Sequence, residues 1–373
     1  MRRFRSLSAA AVALLPVMAL SPAVAHAGAR QAQSPRQAFY LASGMHYGQP
    51  GNASGYSEIL TAGRTIWAFG GTNPGGRSAP VAVIRVGTSW QLSRLPTGLT
   101  DFISNASAPD SRDIWAISGY GRYVLHWNGT RWQVARRWNM QGALSGVIAL
   151  SHRNVWVFGT SPGGDRTIGT WHFNGRQWMP VKTAARDIYR ASAISARDIW
   201  AIAADPHGDS IVRLGVRGWR HVRTGRALVG VRWHDILAES PEDVWLLGND
   251  DTRLGSGRLV LAHWDGKHWN RINTALHAWA GQLAAVGRGS VAATATSSGL
   301  LADGLIVQTT SRGRLAWSTI ESSLGSGVSD IVYVPGTHTL WASGGTLTRL
   351  GGDAAIWARV IPQPGRKAIP QSK

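Results

Sequence analysis

The sequence predicts an all-β fold: a seven-bladed β-propeller of four-stranded antiparallel blades. Three observations predict it. A short phrase centred on Trp returns at near-constant spacing. A second Trp follows each copy, in the clearest cases behind an Asn-Gly or Asp-Gly turn. A short Ala-rich run and a tight turn bearing Ser or Asp lead into the phrase.

The first marker is clearest in Asp113-Ile114-Trp115-Ala116-Ile117, Asn154-Val155-Trp156-Val157-Phe158, Asp198-Ile199-Trp200-Ala201-Ile202 and Asp243-Val244-Trp245-Leu246-Leu247. Thr65-Ile66-Trp67-Ala68-Phe69 and Thr339-Leu340-Trp341-Ala342 match more loosely, and Ser290-Val291-Ala292-Ala293 keeps the frame without its Trp. Successive copies lie 48, 41, 44, 45, 47 and 49 residues apart, a period that fits one four-stranded blade per repeat.

The second marker follows His126-Trp127-Asn128-Gly129 at Trp132, His172-Phe173-Asn174-Gly175 at Trp178 and His263-Trp264-Asp265-Gly266 at Trp269. Weaker copies end at Trp90, Trp219, Trp317 and Trp357. Asn-Gly and Asp-Gly between apolar runs signal a hairpin, and a type I′ turn is expected, in which both central residues need positive φ.

Each unit therefore reads as four strands. Strand a is short and Ala-rich, as in 146–150. A turn such as Ser151-His152-Arg153-Asn154 or Ser240-Pro241-Glu242-Asp243 follows, where Ser and Asp can hold nearby backbone. Strand b carries the first Trp, a variable loop leads to strand c, and the hairpin delivers strand d with the second Trp. A four-stranded sheet buries little alone, so the sheets must stack, with large flat side chains in the wedges between them. The marker tryptophans are accordingly expected in the core. Ala108, Ala149, Ala193, Ala238 and Ala285 suit the crowded inner edge. Seven units suit a closed ring, which removes exposed sheet edges.

The chain divides as 1–27, 28–50, 51–361 and 362–373. The first segment reads as a secretory signal. Arg2, Arg3 and Arg5 precede about 12 apolar residues, and small residues place cleavage near Ala25 or Ala27. That apolar core is short of the roughly 20 residues of a spanning helix, and no later segment reaches that length. A secreted protein without a transmembrane segment is expected, exported by the general secretory route, with Arg2-Arg3 leaving a twin-arginine route open. Residues 28–50 hold one apolar patch, 38–42, which would add a strand to the last blade or lie across a face. The tail 362–373, with Pro362, Pro364 and Pro370, reads as disordered and basic. The absence of cysteine excludes disulfides, thiolate metal sites and cysteine-linked lipid.

The formal charge is +19. Without the three arginines of the first segment it is about +16. Lysine occurs only at 182, 267, 367 and 373, so this charge is carried almost wholly by arginine. A field of this sign favours anionic partners such as cell-wall polymers or acidic glycans. Nucleic acid is not singled out, because no basic stripe interleaved with aromatics occurs.

The phrases Ser240-Pro241-Glu242-Asp243-Val244-Trp245 and His263-Trp264-Asp265-Gly266-Lys267-His268-Trp269 resemble repeats of secreted bacterial β-propellers of the actinobacterial type. The resemblance spans roughly residues 52–361. It implies a propeller scaffold and hands over no catalytic residue. The Gly-His and terminal Trp-Asp pairs of WD40 units are absent, as is the sialidase hairpin in which Ser, Asp, Gly and Trp recur at fixed spacing. Function has to be argued from a site rather than from the fold.

By analogy with other propellers, the d–a and b–c connections at one mouth of the channel are the expected binding face. The b–c loops vary and are rich in Gly and Asp, as in 73–77, 162–166, 205–209 and 249–253. The d–a segments hold residues that blade packing does not demand: Asp101, Arg186, Asp187, Tyr189, Arg190, Trp233, His234, Asp235, His277 and Trp279. Trp233 and Trp279, with Trp138, fall outside the two markers and strand c. Aromatic faces beside Arg, His and Asp would suit a sugar or an anion; equally, these tryptophans would cap the core. Asp205/Asp209 and Asp250/Asp251 place hard oxygens in turns, as calcium prefers, but match no known loop spacing. No metal site or cofactor is expected. His126, His172 and His263 recur at one repeat position, which argues for a structural role.

Two functional readings follow. The first is a secreted, monomeric binding module for an anionic or carbohydrate ligand of the cell envelope or surrounding medium, without catalysis. The alternative is a propeller-type hydrolase or lyase in which Asp101, Asp187 and Asp235 converge at the channel. A glycosidase needs a paired acid and base, and no such pair stands out among the aspartates. Nucleophile-elbow, zinc-protease and nucleotide-loop motifs are absent.

Overall fold

The computed structural model describes residues 39–45, 53–161, 168–205, 208–250, 257–287, 289–297, 302–310, 315–320, 325–348 and 351–361. The expected signal segment, the b–c loop 162–166, residues 206–207 and 251–253, and the basic tail lie outside the described residues. Among the described residues no helix is long and apolar enough to cross a membrane.

Strand β1 (Tyr40–Met45) precedes the blades. Blade one is β2 (Ser54–Ala62), β3 (Thr65–Thr72), β4 (Ala79–Val86) and β5 (Ser89–Leu92). Blade two is β6 (Asn105–Asp110), β7 (Asp113–Ser118), β8 (Tyr123–Trp127) and β9 (Trp132–Arg137). Blade three is β10 (Ala143–Ser151), β11 (Asn154–Thr160), β12 (Thr170–Phe173) and β13 (Trp178–Val181). Blade four is β14 (Asp187–Ser195), β15 (Asp198–Asp205), β16 (Gly208–Gly215) and β17 (Gly218–His221). Blades five and six share a strand: β18 (Val231–Ser240), β19 (Asp243–Asp250) and β20 (Arg258–Trp264) lead into β21 (Trp269–Gly287), which continues to β22 (Ser290–Ser297), β23 (Gly304–Thr310) and β24 (Leu315–Ile320). Blade seven is β25 (Ser326–Val334), β26 (Thr339–Thr348) and β27 (Gly351–Val360), with β1 as its outermost strand.

All pairing within the sheets is antiparallel, as in β1 on β27, where Tyr40 faces Ala358. The inner strands β2, β6, β10, β14, β18, β21 and β25 touch in succession, and β25 returns to β2. Buried apolar side chains form one cluster at each blade junction, including the junction of blade seven with blade one. The propeller is therefore a closed ring of seven blades.

The two Trp markers meet across the junctions. The first Trp of one blade points forward, and the second Trp of the next points back. Trp67 meets Trp132 at 5.8 Å and 81°, and Trp115 meets Trp178 at 6.0 Å and 75°. Trp156 and Trp219, Trp200 and Trp269, and Trp341 and Trp90 repeat the edge-to-face contact, the geometry that the ring quadrupole prefers. The recurrent histidines are structural. His126 stacks on Trp115 at 4.2 Å, and both rings bond to Asp113 Oδ1, at 2.7 Å from Trp115 Nε1 and 2.8 Å from His126 Nε2. Trp156 and His172 share Asn154 in the same way, and Trp245 and His263 share Asp243. In blade four Arg213 replaces the histidine, binding Asp198 with its guanidinium over Trp200.

The c–d hairpins differ from the expected type I′ turn. Only the glycine takes positive φ: 91° at Gly129, 90° at Gly175 and 91° at Gly266. The preceding Asn or Asp is the first corner of the turn. Asn128 N–H donates to Arg131 O, and its Oδ1 accepts the N–H groups of Thr130 and Arg131. Glycine at the first central position is the pattern of a type II′ turn.

Candidate functional site

Strand a of each blade forms the channel wall, and its inner edge has no further strand to bond. A bulge in strand a turns one side chain per blade toward the neighbouring inner strands. The residue after it is Glu58 in blade one, Gly146 in blade three, Arg190 in blade four, Asp235 in blade five and Asp330 in blade seven. Asn105 and Gln282 hold the matching places in blades two and six. These side chains satisfy the inner edge of the next blade. Asp330 Oδ2 accepts Ile59 N–H at 2.7 Å, Asp235 Oδ2 accepts Leu283 N–H at 2.7 Å, and Asn105 Oδ1 accepts Val147 N–H at 2.9 Å. Gln282 Nε2 reaches Ser57 O in blade one at 3.2 Å.

Three carboxylates thus share the channel with one guanidinium. Burial drives Glu58 well above the usual carboxylate range, and the Asp330 charge adds to this, while Arg190 and a 2.9 Å bond from Asn105 oppose it. Burial lifts Asp235 to about 6, against the pull of Arg190. Burial lifts Asp330 to about 7, against backbone donors and Arg190. The arrangement staples blades together. Among the described residues no group of three or more His, Cys, Asp and Glu is arranged to hold a metal ion.

The structure brings Arg190 and Asp235 of the expected site into this buried set and disperses the others. Asp101 Oδ2 accepts Ser118 Oγ and the N–H groups of Tyr120 and Gly121, so it holds the b–c turn of blade two. Neither Asp101 nor Asp187 contributes to the field at Asp235, Asp330 or Glu58. Trp233 is 4% exposed and packs in the junction of blades four and five, with Tyr189 against it. Arg186 is exposed and His234 is half-buried at the blade-five bulge. His277 and Trp279 are exposed on β21, Trp279 to 59%. The turn aspartates weighed for calcium have other partners. Asp205 lies 3.6 Å from His221, Asp209 accepts Trp233 N–H, and Asp250 lies 3.5 Å from Arg271.

The opposite face, built from a–b turns and c–d hairpins, carries a feature that no motif in the sequence marks. The a–b turns of blades two to five use the first side chain to hold the N–H two residues on. Asp110 holds Arg112 at 2.7 Å, Ser151 holds Arg153 at 3.3 Å, Ser195 holds Arg197 at 3.3 Å and Ser240 holds Glu242 at 3.2 Å. In blades two, three and five the held residue lies over the hairpin glycine of its own blade. A Cβ on Gly129 would come within 3.0 Å of Arg112 Cγ, and one on Gly175 within 2.5 Å of Arg153 Cγ. The hairpins add Arg131, Arg176 and Arg217, and blade one adds Arg64, whose turn touches Ser111 of the next. Arg64, Arg112, Arg131, Arg153, Arg176, Arg197 and Arg217 are all exposed. None pairs with a carboxylate among the described residues. This arc of arginines ends at blade five, where Glu242 takes the turn and Lys267 the place after the hairpin glycine. The recurrence of Arg at one phase of the a–b turn is the signal that reveals it.

Both faces carry acidic side chains: Asp101, Asp187, Asp205, Asp209, Asp250, Asp303 and Asp353 lie on d–a or b–c connections or at the strand ends beside them, while Asp110, Asp113 and Asp198 lie on the face of the arc, Asp113 bonded to Trp115 and His126 and Asp198 to Arg213. Over blades one to four the face of the a–b turns and c–d hairpins presents seven exposed arginines, namely Arg64, Arg112, Arg131, Arg153, Arg176, Arg197 and Arg217, against Asp110, Asp113 and Asp198.

No protein-family model matches the chain, and no curated protein matches it. Solved structures do. The chain is similar to YCF48 bound to D1 peptide, with a TM-score of 0.57 and 12% identity over 86% of this chain and 96% of that one. It is also similar to YCF48 from Cyanidioschyzon merolae, with a TM-score of 0.52 and 12% identity over 83% of this chain and 96% of that one. At this identity the likeness is one of fold.

Proposed function

We propose that this propeller is a secreted, non-catalytic binding module that docks an acidic glycan of the cell envelope or its surroundings on the arginine arc of blades one to four. The observation that carries the reading is the arc itself, with two exposed guanidiniums in each of blades two, three and four and no paired carboxylate among the described residues. Like charges held close together repel, and a polyanion relieves that repulsion while gaining bidentate contacts. The hydrolase or lyase reading is disfavoured because Asp101 is committed to three donors and Asp235 to Leu283 N–H. A peptide partner is the second reading, since the YCF48 propeller of similar fold was solved with D1 peptide, and an acidic peptide would use the same arc.

The test is binding of the purified protein to alginate, neutral dextran and polyglutamate at low and high salt. Alginate should bind at low salt and release at high salt, as exposed charge pairs do. Arg112→Glu/Arg153→Glu/Arg197→Glu should weaken alginate binding by about tenfold or more. Arg77→Glu/Arg226→Glu and Trp279→Ala, on the other face, should bind as the parent does. Unchanged binding by the triple variant would overturn the site, and preference for polyglutamate would favour the peptide reading.

A further inference from the structure

We infer that the hollow between blades one and two is a subsite for a single uronic-acid ring. The inference rests on the acidic-glycan reading above and assigns that glycan a specific contact. The hollow measures about 540 Å³ and opens at the outer rim beside the c–d hairpin of blade two. Its floor is aromatic. Trp132 is 5% exposed, and Trp127, half-buried, packs on Trp132 at 5.8 Å and on Trp67 at 5.4 Å. Its flanks are Arg94, from the connection between the blades, and Arg131, from the hairpin. Both are exposed, and neither is ion-paired among the described residues.

Ile84, Leu92, Leu95 and Pro96 add apolar wall, and Ser93, Thr97 and Thr130 add hydroxyl groups. Ser93 Oγ accepts Trp132 Nε1–H at 3.1 Å, and its own proton has no acceptor among the described residues. Thr130 Oγ1 donates to Asn128 Oδ1 at 2.8 Å, which leaves its lone pairs for a ligand donor. An indole surface suits the C–H face of a sugar, hydroxyls suit sugar hydroxyls, and a guanidinium grips a carboxylate through two parallel bonds. An aliphatic acid would leave the aromatic floor unused, and a neutral sugar would leave both arginines unused.

The repeat closes the corresponding junction of another pair of blades with an apolar plug. Between blades four and five, Val222 holds the place of Ser93. Val222 N–H bonds to Ile211 O just as Ser93 N–H bonds to Ala82 O. Val222 packs into the cluster that holds Trp264 and Trp269, and Trp269 Nε1 is left without a partner. Ser93 removes that plug and supplies the missing acceptor.

Titration of the protein with oligoglucuronate, followed by Trp fluorescence and calorimetry, tests the subsite, with cellobiose, glutamate and AMP as competitors. Oligoglucuronate should bind and none of the competitors should displace it. Ser93→Val, which fills the hollow with the residue the repeat uses elsewhere, should weaken it by at least about tenfold, and Arg94→Ala should do the same. Both variants should still bind alginate and release it at high salt, through the arc, with the lower affinity that follows from losing one uronate contact. Unchanged oligoglucuronate affinity in Ser93→Val and Arg94→Ala, or displacement by cellobiose or AMP, would overturn the subsite and leave the arc intact. Loss of alginate binding only in the Arg112→Glu/Arg153→Glu/Arg197→Glu variant, with oligoglucuronate still bound, would support both sites independently.

Discussion

The carboxylate of Asp330, on the last blade, accepts the backbone N–H of Ile59, on the first, at 2.7 Å. The bond lies at the junction where the ring closes, and the carboxylate stands among Glu58, Asp235 and Arg190. Asp330→Asn keeps an acceptor for Ile59, whereas Asp330→Ala leaves that buried N–H without one. Urea unfolding should show Asp330→Ala destabilised by about 1–3 kcal/mol, with Asp330→Asn close to the parent or above it at mildly alkaline pH.

The same residue makes stability depend on pH in a stated direction. Burial lifts Asp330 to about 7 and Asp235 to about 6. A carboxyl group whose pKa is raised on folding contributes stability that is full below its unfolded value and is lost as pH rises through its folded value. The melting temperature should therefore fall between about pH 4 and about pH 7. The fall should be smaller in Asp330→Asn, and an identical slope in the variant would count against the assignment.

Trp67 and Trp132 provide a measure of the edge-to-face contacts. Replacing buried Trp67 with Ala should cost about 3–5 kcal/mol. A double-mutant cycle with Trp132→Ala should return a coupling of about 1 kcal/mol, since the aromatic pair adds that much beyond area.

Two hairpin glycines separate backbone strain from crowding. Gly175 and Gly218 both have φ of 90°. An added Cβ at Gly218 meets nothing within 4 Å, while at Gly175 it meets the Arg153 stem at 2.5 Å. Gly218→Ala should cost about 1 kcal/mol, the penalty of positive φ alone. Gly175→Ala should cost more, and Arg153→Gly introduced beside it should relieve the crowding that Arg153→Ala, whose Cβ stays 2.8 Å away, relieves only in part.

The ring is legible in the sequence because its packing unit is a large aromatic pair repeated at fixed phase. Trp115 and Trp178 stand out as markers from their spacing alone, and so does the loss of Trp at Ala292. The channel set is less legible. Glu58 and Asp330 look unremarkable in the sequence because a bulge shifts the inward phase of strand a by one residue, which simple alternation does not reveal. Asp235 and Arg190 are visible as out-of-place charges, but their burial depends on strands from other blades. The basic arc is countable from the turns, at Arg112, Arg153 and Arg197. Its lack of ion pairs follows only from the fold, which gives Asp110 to the Arg112 backbone, Asp113 to Trp115 and His126, and Asp198 to Arg213.

The pairing of β1 with β27 sets the order in which the molecule can be completed. Tyr40 finds its partner Ala358 near the far end of the described chain. A chain made from its N-terminus must hold that strand in waiting while six blades assemble. Contacts of such sequence separation are slow to form. The last blade is thus a clasp that shuts only when both ends are present, and a chain truncated before β27 would have neither the clasp nor its partner strand.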